Sequence, residues 1–166
     1  MKRILVIGSP GAGKSTFSRS LSNLLGIPLY HLDMIWHKPD KTTLSREEFD
    51  SVLEELLSKD SWIIDGNYAR TLKRRIEECD TVFLFDLPTE VCLEGARSRV
   101  GVQRLDMPWV EEELDPDFES WICSFREEQL PVAYSILNEV RDRVRVITFY
   151  SRDEAESYLS AQAKRM

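Results

Sequence analysis

A chain of 166 residues with 42% hydrophobic and 31% charged content has the make-up of one globular domain with its own core. A net charge of −7 works against non-specific attraction to nucleic acid or to an anionic membrane surface. Cys79, Cys92 and Cys123 are widely spaced and include no C-x-x-C pair, so they read as buried or incidental thiols of a reducing cytoplasm rather than a zinc or disulfide framework. No run approaches the roughly 20 apolar residues of a membrane span, and Ile4–Ile7 is too short for a signal peptide.

The run Arg3-Ile4-Leu5-Val6-Ile7 reads as a buried strand. Directly after it stands Gly8-Ser9-Pro10-Gly11-Ala12-Gly13-Lys14-Ser15-Thr16, the phosphate-binding pattern G-x-x-x-x-G-K-[ST]. Its glycines let the backbone turn several N–H groups toward a phosphate. Lys14 then reaches the β- and γ-phosphates as a point charge, and the Ser15 hydroxyl ligates Mg²⁺. The loop opens a helix whose N-terminus favours anions, and Phe17, Leu21, Leu24 and Leu25 recur at helical spacing until Gly26 and Pro28 stop it.

Pro28 to Asp33 is the second expected strand, ending on a carboxylate, and Met34 to Thr43 is read as a loop or short helical turns. Ser45-Arg46-Glu47-Glu48 is a capping box before a helix carrying Phe49, Val52, Leu53, Leu56 and Leu57 on one face. Ser61 to Asp65 is a third strand, followed by a basic helix with Arg70, Lys73, Arg74 and Arg75. Thr81 to Asp86 is a fourth, and Leu87-Pro88-Thr89-Glu90 starts a helix running to about Arg99. Residues 100–117 lose apolar periodicity, hold Gly101, Pro108 and Pro116, and read as a mobile excursion. A long helix from about Asp117 to Val140 is expected to kink or split at Pro131. Val144 to Phe149 is a fifth strand, and Ser151-x-x-Glu154 caps a last helix.

Five strands alternating with helices predict an α/β three-layer sandwich around a parallel sheet. Ligands of such sheets sit outside the carboxyl ends of the strands. The phosphate loop, Asp33, Asp65 and Asp86 all fall at such ends, a grouping suited to Mg²⁺ and acid–base work. The run Glu111-Glu112-Glu113 with Asp106, Asp115 and Asp117 makes the excursion acidic and reads as a solvated face. Tyr30, His31, Trp36 and His37 cluster after the second strand, either stacking on an acceptor or covering the sheet edge.

The phosphate loop, Asp65-Gly66-Asn67-Tyr68 and Asp86-Leu87-Pro88 resemble small kinases of the adenylate kinase type. Together with His31-Leu32-Asp33, Trp62-Ile63-Ile64, Cys79-Asp80-Thr81-Val82 and Arg104-Leu105-Asp106-Met107-Pro108, they resemble most closely the bacterial DNA topology modulation proteins, relatives of those kinases. The resemblance covers nearly the whole chain. It implies a P-loop NTPase domain over residues 1–166 with sheet order 2-3-1-4-5, ATP with Mg²⁺ as ligand, and a lid at about 100–117. It places Asp65 beside the phosphate loop to hold Mg²⁺-bound water, and Asp33 where a general base orients an acceptor hydroxyl. Arg99 matches the arginine that ends the helix before the lid. Arg97 and Arg104 bracket the same segment, where lid arginines neutralise transferring phosphate. Two departures stand out. Gly95 occupies the place of an arginine that packs on adenine, and Asn67-Tyr68-Ala69-Arg70 puts the monophosphate-gripping arginine out of register, leaving Arg70, Arg74 and Arg75 as substitutes. The expected function is a cytoplasmic ATP-dependent phosphotransferase acting on a small acceptor, a nucleotide or nucleoside among them. The alternative is a nucleotide-binding regulator with little turnover.

Overall fold

The computed structural model describes residues 1–165. Strands β1 (Arg3–Gly8), β2 (Leu29–His31), β3 (Trp62–Asp65), β4 (Thr81–Phe85) and β5 (Arg145–Phe149) form one sheet in the order β2-β3-β1-β4-β5. Every pairing is parallel. This is the expected α/β three-layer sandwich.

Alternate strand residues feed two cores. Leu5, Ile7, Trp62, Ile64, Val82 and Leu84 meet helices α3 (Arg46–Leu57), α4 (Ala69–Glu78) and α7 (Leu130–Val140) on one face. Ile4, Val6, Ile63, Phe83 and Phe85 meet α1 (Lys14–Leu25), α5 (Thr89–Ser98) and α8 (Arg152–Ala163) on the other. Both faces are therefore covered, which is why the strands read as continuous apolar runs. The expected capping box is formed: Glu48 N–H donates to Ser45 Oγ at 3.1 Å and Ser45 N–H to Glu48 Oε2 at 2.8 Å. Ser151 caps α8 in the same way, accepting from Glu154 N–H at 3.2 Å.

Two places differ from the sequence reading, and the expected split of the long helix at Pro131 is formed. Strand β2 stops at His31, and Leu32–Trp36 turns into a short helix, α2. Leu32 is fully buried among α3 and β3 side chains, and seating it bends the chain early, so Asp33 stands in the first turn of a helix rather than on a strand end. The long helix is two: α6 (Pro116–Glu128) and α7, which meet at Gln129. Pro131 lacks the N–H that an uninterrupted helix needs, and it is accommodated in the first turn of α7. Residues 100–115 hold no helix or strand, and the segment folds down onto the phosphate loop through the buried Asp106, the exception in an acidic stretch whose Glu112, Glu113, Asp115 and Asp117 are exposed. Among the described residues no helix is long and apolar enough to cross a membrane.

Helices α1 and α4 leave neighbouring strands β1 and β3 toward opposite faces. That divergence opens a crevice at the carboxyl ends of the two strands, the place where such sheets take ligands. The register sets Asp65 opposite Val6 on one side and opposite His31 on the other. Asp65 is thereby carried to the mouth of the phosphate loop.

Candidate active site

The loop between β1 and α1 is held open from three directions. Asn67 clamps its first glycine: Gly8 N–H donates to Asn67 Oδ1 and Asn67 Nδ2 donates to Gly8 O, each at 2.9 Å. Ser9 N–H donates to Phe85 O at 2.7 Å, tying the loop to β4. On the far side α5 lies directly against the loop, since a Cβ on Gly95 would stand 2.1 Å from Gly11 O. No side chain fits at Gly95. Arg152 of α8 fills the neighbouring space instead, donating to Gly11 O at 3.0 Å. An arginine thus still borders the phosphate-loop end of the cleft, supplied by a different helix.

Lys14 curls over the loop and donates to Ser9 O at 2.8 Å. Desolvation in the cleft lowers its pKa; Asp65 opposes that effect, and the positive charge of Arg99 adds to it. Ser15 Oγ lies 2.7 Å from Asp65 Oδ2 and 2.8 Å from Asp106 Oδ2. A hydroxyl carries one proton and cannot donate to both carboxylates. Burial works against ionisation of Asp106, but the Ser15 hydroxyl, Arg104 and His31 outweigh it and leave its carboxyl below the usual carboxylate range. Such hard oxygen donors suit Mg²⁺. Among the described residues no three His, Cys, Asp or Glu side chains are placed to cage a metal unaided. Mg²⁺ commonly binds through one or two carboxylates, waters and substrate phosphates, and Ser15 with Asp65 and Asp106 fits that habit. His31 Nδ1, 2.8 Å from Asp65 Oδ2, fixes the carboxylate from behind.

Asp33 receives Tyr68 Oη at 2.6 Å. Burial, and then the charge of Asp33, push the Tyr68 phenol well above its ordinary pKa, so it remains a donor. Tyr68 itself has φ +39°, a left-handed conformation unusual for a side-chain-bearing residue. Arg75 accounts for it. Fully buried, it donates to the carbonyls of Gly66 and Tyr68 at 2.9 and 3.0 Å, and also to that of Asn67. Burial lowers its pKa to about 10. Replacing Arg75 by Met leaves these carbonyls without their donor, and the expected loss is about 3 kcal/mol. Thermal unfolding should show this as a Tm fall of about 6–12 °C; an unchanged Tm would remove Arg75 as the support of the Gly66–Tyr68 turn.

The other expected residues separate into two groups. Arg99 lies in the cleft with its Nε buried and unpartnered and, among the described residues, no ion pair. Desolvation lowers its pKa, and Arg104 adds to the effect. Arg104 lines the cleft too, but Glu111 at 3.3 Å and Asp106 at 3.9 Å take up its charge. Arg97 faces outward to Glu119. Asp86 does not join the carboxylates at the loop. It receives Arg126 Nε at 3.2 Å and Tyr134 Oη at 2.7 Å, anchoring α6 and α7 to β4. Trp36 packs edge-on against Phe49 and Tyr68, and His37 meets Trp109 of the 100–115 segment. Trp36 is thus taken up by packing against α3 and the Gly66–Tyr68 turn.

Two cavities, of about 610 and 480 Å³, meet at Gly11, Lys14, Ser15, Arg99 and Asp106. The larger runs along Gly13, Thr16, Arg19 and Ser20 toward Arg152 and Leu159. The smaller contains Asp33, Asp65, Asn67 and Tyr68, and is walled by Leu72, Phe118, Trp121, Phe125 and Ile136. The α6 aromatics of that wall were hidden in the sequence, where an aromatic stripe at helical spacing reads as ordinary core.

This geometry defines a P-loop protein with the kinase-like NTPase fold, and comparison with known proteins agrees. No family model matches the chain. Adenylate kinase of Clostridium botulinum (strain Eklund 17B / Type B) is 28% identical over 129 residues, covering 58% of this chain and 59% of that protein. Adenylate kinase of Thermotoga petrophila is 27% identical over 88 residues, covering 52% of this chain and 39% of that protein. The chain thus matches less than two thirds of the length of these relatives. Among solved structures, shikimate kinase from Acinetobacter baumannii in complex with shikimate superposes with a TM-score of 0.62 at 18% identity, over 99% of this chain and 94% of that one. A gluconokinase from Sinorhizobium meliloti superposes with a TM-score of 0.54 at 17% identity, over 99% and 94%. At such identities these structures speak for the fold.

Proposed function

We propose that the protein transfers the γ-phosphoryl group of ATP to a hydroxyl of a small acceptor. The observation that carries this reading is the meeting of two cavities at Lys14, Ser15, Arg99 and Asp106. A nucleotide hydrolase needs one cavity; transfer between two substrates needs two that share the reacting centre.

ATP lies in the larger cavity with its phosphates cradled by the backbone of Gly8–Thr16. Ser15, Asp65 and Asp106 would hold Mg²⁺, which would offset the negative charge of the phosphates. Lys14 balances the β- and γ-phosphates. Arg99, whose buried Nε has no hydrogen-bond partner among the described residues, meets the charge that spreads over the equatorial oxygens during transfer. Asp33 accepts the proton of the acceptor hydroxyl, its carboxylate steadied by Tyr68 Oη at 2.6 Å. Residues 100–115 act as the lid: Asp106 and Arg104 draw the segment over the phosphates, where excluding water favours transfer over hydrolysis.

Likeness to adenylate, shikimate and gluconate kinases supports ATP as donor and a small molecule as acceptor. The topology-modulation resemblance offers a nucleotide-gated regulator instead, a reading that leaves the second cavity and Asp33 without a task. An acceptor screen with ATP·Mg²⁺ separates the two. ADP release is expected to rise at least tenfold above the acceptor-free rate for one class of hydroxyl compound; a rate indifferent to every acceptor favours the regulator.

A further inference from the structure

We infer that the phosphoryl acceptor is an uncharged, ring-bearing alcohol, of the class of a nucleoside or an aromatic alcohol, and not a phosphorylated or carboxylated compound. The inference rests on the phosphotransferase reading and assigns the substrate class of its second cavity.

That cavity, of about 480 Å³, is of a size for one drug-sized molecule. Its body is apolar and aromatic, built by Leu72, Trp121, Phe125 and Ile136, with Tyr68 at the Asp33 end. The cations among its lining residues are Lys14 and Arg99, and both also line the nucleotide cavity, at the junction where the phosphoryl group passes. Three carboxylates, Asp33, Asp65 and Asp106, share that end. Away from the junction the wall offers no positive charge.

The basic helix α4 runs beside this cavity and is where an anion grip would be sought. Lys73 is exposed and outside the cavity lining, and each of the arginines is committed elsewhere. Arg70 makes a two-pronged pair with Asp50 at 2.6 and 3.0 Å. Arg74 does the same with Glu54 at 2.8 and 2.9 Å and adds Glu78 at 2.9 Å. Both pairs bind α4 to α3. Arg75, fully buried, spends its guanidinium on Thr71 and the carbonyls of Gly66, Asn67 and Tyr68. An anionic group held away from the Lys14–Arg99 junction would therefore leave water for aromatic walls with no counter-charge, which is strongly unfavourable. A neutral ring loses little on entry, stacks on Trp121 and Phe125, and can present a hydroxyl to Asp33. Gln129, at the break between α6 and α7, supplies an uncharged amide to the same wall.

The test uses acceptor pairs that present the same hydroxyl and differ in charge: uridine beside its 6-carboxylate, and 4-(hydroxymethyl)benzamide beside 4-(hydroxymethyl)benzoate; nucleoside 5′-monophosphates, which would accept on the phosphate, are run alongside their nucleosides. ADP release with ATP·Mg²⁺ is measured for each, together with thermal stabilisation by the acceptor. The neutral member of at least one pair should be phosphorylated with kcat/KM at least tenfold above its anionic partner. A nucleoside monophosphate or carboxylate used as well as its neutral partner overturns the inference and leaves the phosphotransferase intact. No acceptor-dependent ADP release from any neutral or anionic compound, with ATP still bound, overturns the phosphotransferase reading and this inference with it. A second arm uses Val132→Arg. Val132 is 53% exposed at the cavity wall, so an arginine is tolerated there and places a cation at the rim. The variant should shift the preference toward the anionic partner by roughly tenfold, the scale of one charge-assisted contact. An unmoved preference would contradict the charge argument.

Discussion

Asp33→Asn lowers kcat for the best acceptor by about 10²–10⁴-fold, the usual span of a general base, and leaves the affinity for ATP·Mg²⁺ nearly unchanged. Asparagine keeps the size of the side chain and an oxygen that can still accept from Tyr68 Oη, whose hydrogen bond to Asp33 is 2.6 Å long. What disappears is the negative charge and the place for a proton. In the proposed arrangement the nucleotide is held by Gly8–Thr16 on the other side of the junction, so its Kd has no reason to move. Turnover and Kd measured together on wild type and variant decide the matter. Wild-type kcat in the variant would remove Asp33 from the chemistry, and a matching loss of ATP affinity would make it a binding residue instead.

Lys14→Ala abolishes stabilisation by ATP·Mg²⁺. In the wild-type protein, ligand at about 100 times Kd contributes roughly 2.7 kcal/mol, a Tm rise of about 5–10 °C for a domain of this size. Lys14 already sits over the loop on Ser9 O, and desolvation there lowers its pKa, so its charge is poorly compensated until phosphates arrive. Alanine leaves the backbone cradle without that charge. The variant alone should unfold near the wild-type temperature, because Lys14 holds up no core residue. A thermal scan with and without ATP·Mg²⁺ measures both points. Undiminished stabilisation would contradict the assignment of this loop to a nucleotide.

Much of this architecture is legible in the sequence because it is written locally. Strand, phosphate loop and helix follow one another in a single stretch of 23 residues, Arg3–Leu25. Ser45 and Ser151 each announce a helix three residues before its capping partner. Pro131 marks the break between α6 and α7. What stays hidden depends on partners distant in sequence. Asp106 meets Ser15 across 91 positions, and nothing in an acidic run tells the one buried carboxylate from its solvated neighbours. Arg75 differs from Arg70 and Arg74 only in the way its helix is turned toward the sheet, yet it is the one that shapes the Asp33 and Asp65 surroundings. Asp86 directly follows its strand where Asp65 ends its own, but Arg126 of α6 and Tyr134 of α7 claim it. The family resemblance places Gly95 where another kinase keeps an arginine, and only the packing of α5 on Gly11 explains the loss. Arg152, 141 positions away from Gly11, fills that space through a contact no local pattern could announce.

The central claim is transfer of a phosphoryl group to an acceptor, and phosphorus NMR of the complete reaction tests it most directly. The protein is incubated with ATP·Mg²⁺ and the neutral ring-bearing alcohols, and the fate of the γ-phosphorus is followed. The account predicts a phosphomonoester resonance growing in step with ADP, with little inorganic phosphate. Inorganic phosphate alone, released at the same rate with and without acceptors, would contradict it.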